Sequence, residues 1–378
     1  LLSQIDGYQE LELQSPETGR QWTLSAVIGK GDDPENQDQM PISIDFANNG
    51  HHAVCGTVAT GKSTFLQTAV YSFVNKYSSD ELNFYIIDFS AKLLNVFSGS
   101  QHVGGVMTDA EEDAEKIAKF FTMLASILEE RKKILSASNF RDYVEHSGKR
   151  MPAIVLVIDN YAAFREKTGE RYEDQIRQVA KDGLGCGIFL LVTAGGFGTS
   201  EISSRLADSF RTTICLELSD IYQYSDVLRV VKPPLYPESN VKGRGLVYLG
   251  EKIIEFQTAL ACDGESIFDR NDHIRTHIEK INALNPGKAA RRIPVIPEKP
   301  MWEEYIRQED YAALLADPVL VPNGYDAETA AYSSIDLTAL HTYVISGTRK
   351  SGKSTYMKNL ISAFADKGSA SYIMELES

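Results

Sequence analysis

The sequence predicts an α/β fold, a parallel sheet flanked by helices, laid down as two tandem domains of which the second is incomplete. Two observations predict it. Short runs rich in Val, Ile and Leu alternate with stretches of helical periodicity, the pattern of strands buried on both faces of a parallel sheet. A loop of the pattern G-x-x-x-x-G-K-S occurs twice, at Gly56–Ser63 and at Gly347–Ser354. One chance match in a chain of 378 residues has a probability of roughly 1–2% from ordinary residue usage, and two are far rarer. A shift of 291 positions also lays Ser43-Ile44-Asp45 on Ser334-Ile335-Asp336 and Gly61-Lys62-Ser63-Thr64 on Gly352-Lys353-Ser354-Thr355 without a gap. The period reads as one whole domain repeated.

Taken in order, Val54-Cys55 runs into the first loop, and Thr64 to Val70 continues as helix. That strand, loop and helix is the context a phosphate-binding loop requires. Phe84 to Asp88 reads as a buried strand ending in a carboxylate. Residues 110–135 read as a long amphipathic helix, with Ile117, Phe120, Phe121, Leu124, Ile127, Leu128 and Ile134 at helical spacing opposite Glu111, Glu115, Lys119 and Glu130. Three more buried strands follow, at Ala153–Asp159, Gly187–Thr193 and Thr213–Leu218. The first domain spans 1–262. From 263 to 300 a helical stretch leads into four prolines and a glycine, read as an extended linker. The second domain occupies 301–378, reaching its loop, a helix and an apolar run at Ser371–Glu375 similar to Phe84–Asp88. It includes no counterpart of the Asp159 strand. The chain does not begin with Met and reads as a piece of a longer protein.

Bulk properties narrow the field. The formal net charge of −14 argues weakly against a nucleic-acid surface, which usually needs a basic stripe. Cys55, Cys186, Cys215 and Cys262 are far apart, with no C-x-x-C spacing, and read as packed, reduced thiols. No apolar run approaches the roughly 20 residues that span a bilayer. His51, His52 and His102 show no metal spacing and read as packed or solvated rings.

The loops name the ligand class. Their glycines let backbone N–H groups turn inward around phosphates, and the next helix aims its N-terminus at the same anion. ATP with Mg²⁺ is the expected ligand, taken by Gly56, Thr57, Thr60, Gly61, Lys62, Ser63 and Thr64 in the first copy. The second copy offers Gly347, Gly352, Lys353, Ser354 and Thr355. Lys62 and Lys353 would reach the β- and γ-phosphates, while Ser63 and Ser354 would ligate the metal. Asp159 is the expected metal carboxylate, and Thr193, ending the next strand, could sense the γ-phosphate. Asn160 follows Asp159 where hydrolytic relatives of this layout usually place Glu. It can orient water but cannot act as a base, so hydrolysis is expected to be slow. Asp88 is the rival carboxylate and reads better as a strand-end group near the site. Arg205, Arg211 and Arg244 are candidates for an arginine reaching a neighbour's site.

The strand-to-loop module, Tyr85-Ile86-Ile87-Asp88-Phe89, Val103-Gly104-Gly105-Val106, Arg131-Lys132-Lys133, Phe140-Arg141-Asp142-Tyr143 and Lys242-Gly243-Arg244-Gly245-Leu246-Val247 together resemble FtsK/SpoIIIE-type ATPase domains, with Gly50-His51 also similar. Two in tandem, with Asp32-Asp33-Pro34-Glu35-Asn36-Gln37 ahead of the first, resemble the EccC/EssC ATPases of type VII secretion, the EssC branch more closely. The resemblance implies a RecA/FtsK-like P-loop fold and three ATPase domains behind a membrane anchor. It also implies hexameric assembly at the cytoplasmic face of the membrane, with other secretion components, and export of small helical WXG100-type proteins. This chain would be the second domain and the start of the third. The alternatives are an FtsK-like DNA translocase and a scaffold that holds ATP as a structural ligand.

Overall fold

The computed structural model describes residues 1–8, 21–284, 287–297, 299–326, 330–339 and 342–368. The chain divides into two compact units, Leu1–Ile293 and Pro294–Ser378.

The first unit is built on ten strands: β1 Ser25–Asp33, β2 Asp38–Asp45, β3 His52–Cys55, β4 Leu82–Asp88, β5 Val103–Met107, β6 Ala153–Asp159, β7 Ile188–Ala194, β8 Thr212–Leu216, β9 Arg244–Leu249 and β10 Lys252–Thr258. They lie in the order β2-β1-β10-β9-β8-β3-β7-β6-β4-β5. The half from β8 to β5 is parallel, and every residue of β3, β4, β6 and β7 is buried. Strands covered on both faces need unbroken apolar runs, which is why all of them were legible in the sequence. The other half is antiparallel: β9 pairs β8, β10 pairs β9, β1 pairs β10 and β2 pairs β1. The expected parallel sheet is present and is extended by four antiparallel strands. β2, β10 and the end of β1 alternate exposed and buried residues, as in Lys30-Gly31-Asp32, because one face meets solvent.

The long helix forms over Ala114–Leu135 and buries Ile117, Phe120, Phe121, Leu124, Ile127 and Leu128. Ile134, expected on that face, is 54% exposed, because the buried stripe continues through Arg131 and Leu135 instead.

The 263–300 segment differs most from its reading. The helix Ile267–Leu284 buries Ile274, Ile278 and Ile281 in the first unit's core. Residues 288–293 then cross the edge strand β5. Ala290 N donates to Gln101 O at 2.7 Å, Ile293 N to Gly104 O at 3.2 Å, and the Tyr85 hydroxyl to Arg291 O at 2.7 Å. Gly104 and Gly105 permit this approach: a Cβ would lie 2.5 Å from Arg291 O at Gly104 and 2.4 Å from Ile293 Cδ1 at Gly105. This stretch of the expected linker is therefore docked, and the division falls after Ile293 rather than at 262.

In the second unit β11 Leu320–Tyr325 and β12 Tyr332–Asp336 form an antiparallel hairpin. Val321 and Ile335 pack with Leu360 and Ala363 of the helix Lys353–Asp366. Residues 342–346, which lead into the second loop, are not paired as a strand. The expected run at Ser371–Glu375 lies outside the described residues.

Candidate nucleotide site

The first loop sits where the parallel sheet presents its C-terminal edge. β3 ends at Cys55 between β7 and β8, so the loop draws partners from both sides. Gly56 N donates to Ala194 O of β7 at 3.1 Å, and Thr57 N to Glu217 O just past β8 at 2.8 Å. The Thr57 hydroxyl donates to Glu217 O at 3.1 Å, and the Thr60 hydroxyl to Thr57 O at 2.9 Å. Gly61, at φ +107, caps the helix Lys62–Lys76 in a conformation that favours glycine. Thr60 O accepts from Gly243 N at 2.8 Å, and a Cβ on Gly61 would lie 2.9 Å from that same nitrogen. The Lys242-Gly243-Arg244 turn thus backs the loop from behind.

The Lys62 ammonium reaches back over the loop and donates to Gly56 O and Thr57 O, each at 2.6 Å. An ammonium has three donors, which leaves one for an anion in the concavity. Burial pushes the Lys62 pKa down, while Asp159 and Glu201 pull it back up. Asp159 ends β6 fully buried. Burial raises its pKa, opposed by the Ser63 and Thr193 hydroxyls and by Lys62. The Thr193 hydroxyl donates to Asp159 Oδ1, while Oδ2 is buried without a hydrogen-bond partner.

These placements sort the expected residues. Gly56, Thr57, Thr60, Gly61, Lys62, Ser63 and Thr64 come together at one loop and one helix start, with Asp159 across from Ser63. Thr193, expected to face a γ-phosphate, is fully buried and gives its hydroxyl to Asp159, so it orients that carboxylate. Asn160 caps the helix Tyr161–Thr168, its Oδ1 accepting from Ala162 N at 3.0 Å. Asp88, beside Asp159 in register, accepts from Ser90 N, Lys92 N and Leu94 N at 3.2, 3.0 and 3.0 Å, and so shapes a turn. The three histidines bond buried backbone groups. Arg244 lies 3.9 Å from Glu255 on the neighbouring strand.

The second loop repeats the local geometry. Lys350 and Ala59 share φ 66, Gly352 has φ +89, and Lys353 donates to Gly347 O at 2.8 Å and Thr348 O at 2.6 Å. Ser354 and Thr355 start the helix Lys353–Asp366 and are exposed. A Cβ on Gly352 would meet nothing within 4 Å, so among the described residues none backs this loop as Gly243 backs the first.

The first site fits nucleotide with Mg²⁺. Gly56 is a cradle position, where a Cβ would crowd the Thr60 hydroxyl at 2.7 Å, and Asp159 Oδ2 is an orphaned acceptor near Ser63. Among the described residues no group of three His, Cys, Asp or Glu could hold a metal by itself. Ser63, Asp159 and nucleotide phosphates together would hold Mg²⁺, which supplies neutralisation of phosphate charge.

Comparison with known proteins converges on the same architecture. The FtsK/SpoIIIE family matches residues 13–150. The type VII secretion system protein EssC of Staphylococcus aureus (strain MRSA252) is 26% identical over 341 residues, which cover 88% of this chain and 22% of that protein. The solved structure of EssC (ATPases 2 and 3) from Geobacillus thermodenitrificans matches with a TM-score of 0.79 at 23% identity, covering 95% of this chain and 67% of that one. Thermomonospora curvata EccC (ATPases 2 and 3), solved in complex with a signal sequence peptide, matches with a TM-score of 0.64 at 27% identity, covering 92% and 62%. The chain is thus similar to FtsK/SpoIIIE-type ATPases of the EssC and EccC kind. It spans 22% of the length of the first EssC relative. Among the described residues no helix is long and apolar enough to cross a membrane.

Sequence reasoning passed over three features around this loop: the Glu217 carbonyl, the Gly243 amide behind Gly61, and Glu201, whose charge acts on Lys62. The first two act through backbone atoms, which carry no side-chain signature. The Gly-Arg-Gly spacing was the available hint for Gly243.

Proposed function

We propose that the first unit binds ATP with Mg²⁺ and that the chain is part of a type VII secretion motor or coupling ATPase. The observation that carries the reading is Lys62 held over a complete loop, with the unpartnered Asp159 oxygen at the neighbouring strand end. The second unit offers the same loop backbone and lysine, which supports a repeated ATPase domain begun at Pro294. In the full-length protein the domains would assemble as a hexamer at the cytoplasmic face of the membrane. They would drive or regulate export of small helical WXG100-type proteins. Hydrolysis is slow: position 160 carries an amide whose oxygen caps a helix, so any base must come from another strand.

The test is thermal denaturation with ATP and Mg²⁺. The wild-type chain should gain stability by mass action, and Lys62→Ala should abolish the shift. An unchanged shift in Lys62→Ala would remove the assignment. Turnover by the wild-type chain should fall below the ordinary range of about 1–10³ s⁻¹.

A further inference from the structure

Asn160 cannot take a proton, yet a carboxylate stands at the same edge of the sheet, delivered from another strand. The peptide unit joining Ala194 to Gly195, at the end of β7, faces two ways. Its carbonyl accepts from Gly56 N on the β3 side. Its N–H points to the β6 side, where a longer β6 would supply a carbonyl. But β6 stops at Asp159 and turns into the helix Tyr161–Thr168. The Gly195 N–H donates instead to Glu201 Oε2 at 2.7 Å. The Glu201 carboxylate therefore takes the ladder place that β6 vacates, at the strand ends that carry Asp159 and Thr193. Its charge is felt at Lys62, together with that of Asp159.

The segment that carries it is tied down. Gly198 N donates to Ile202 O at 3.0 Å, Glu201 N to Gly198 O at 3.2 Å, and Ile202 is fully buried. Arg165, on the helix that follows Asn160, donates to Thr199 O at 2.8 Å and Glu201 O at 3.2 Å. Arg165 is held in turn by Glu170 and Glu173. At Gly195 a Cβ would lie 2.8 Å from Glu201 Oε1. Glu201 itself is half-buried, with Oε2 engaged, which leaves Oε1 for a water.

We propose that Glu201 is the water-activating carboxylate of the first site, in place of a glutamate at position 160. The water oxygen forms a bond to the γ-phosphorus, and the bond from that phosphorus to the β,γ-bridging oxygen breaks. The electron pair leaves with the bridging oxygen as ADP, and the water proton passes to Glu201. The inference rests on the ATP reading above.

The experiment uses the whole chain as wild type, Glu201→Gln, Glu201→Ala, Gly195→Ala and Lys62→Ala. Three quantities are measured: affinity for a fluorescent ATP analogue, single-turnover ATP hydrolysis, and retention of ADP with aluminium fluoride. Glu201→Gln should bind the analogue within about twofold of wild type yet hydrolyse about a hundredfold more slowly, the lower end of general-base effects. It should also release ADP–aluminium fluoride faster, because the fluoride complex holds an in-line water. Gly195→Ala keeps the carboxylate but displaces it, and should fall with Glu201→Gln. Added formate should restore part of the Glu201→Ala rate, which a merely structural glutamate would not allow. Equal hydrolysis by wild type and Glu201→Gln would overturn the proposal. So would wild-type turnover no faster than that of Lys62→Ala. Failure of the wild type to bind the analogue would overturn the nucleotide reading instead, and is seen separately.

Discussion

His51, His52 and His102 show how single residues tie this fold to pH. His51 joins two elements, facing Ala180 O at 3.0 Å and accepting from Leu190 N at 3.0 Å. His52 and His102 face Gly50 O and Tyr77 O, each at 2.8 Å. Burial holds all three pKa values down at about 4. In the unfolded chain each ring titrates near 6.5. Between those values the unfolded state binds more protons, so stability falls as pH drops through the window from about 6.5 to 4. Buried Asp88 and Asp159, whose pKa values are raised, act in the opposite sense, and three imidazoles outnumber them. Thermal denaturation should show Tm falling from pH 7 to pH 5, with a shallower fall in His51→Gln. A Tm that holds or rises over that range would contradict this. Residue by residue, the site was legible where its parts are contiguous in sequence, as in Gly61-Lys62-Ser63. Glu201 was not, because its place depends on the turn that folds it back onto Gly195.

At the scale of elements, the buried parallel strands other than β5 announced themselves, as did the long helix, and the half-solvated strands did not. β6 is seven consecutive buried residues, so composition alone identifies it. The β1–β2 and β9–β10 pairs are half-solvated and carry polar residues that break up the apolar runs. The docking of residues 288–293 was hidden for another reason: prolines and arginines signal an extended chain, and only the surface opposite decides whether that chain is free. Gly104 and Gly105 make the surface, and β5 would otherwise be a bare sheet edge. Trypsin should therefore spare Arg291 and Arg292 in the wild-type chain. Gly105→Val forces a side chain into Ile293 and should cost about 1–3 kcal/mol, as overpacking does. It should open those two arginines to cleavage. Equal resistance in both chains would mean that the segment is held elsewhere, and rapid cleavage of wild type would mean that it does not dock.

The whole molecule sets the last question, what the chain carries or is carried by. Its charge of −14 opposes non-specific duplex binding, which depends on releasing counterions from phosphates contacted by Lys and Arg. No mobility shift with duplex DNA is expected even at low salt; a shift that weakens steeply with salt would instead favour the DNA-translocase alternative. For a helical protein cargo the receiving surface is an apolar groove on one ATPase domain. Under the proposed function that groove would lie on the domain to which the second unit, Pro294–Ser378, contributes its loop and helix. Among the described residues that unit has a small core, in which the hairpin packs with the helix Lys353–Asp366. The relative solved with a signal sequence peptide, Thermomonospora curvata EccC, extends further, since this chain covers 62% of it. The present chain should therefore bind a signal peptide weakly or not at all, and a version lengthened through the complete following domain should bind it. Calorimetric titration of one peptide into both measures the difference. Equal, tight binding by the two would place the receiving groove within residues 1–293 and move cargo recognition onto the domain that holds Lys62.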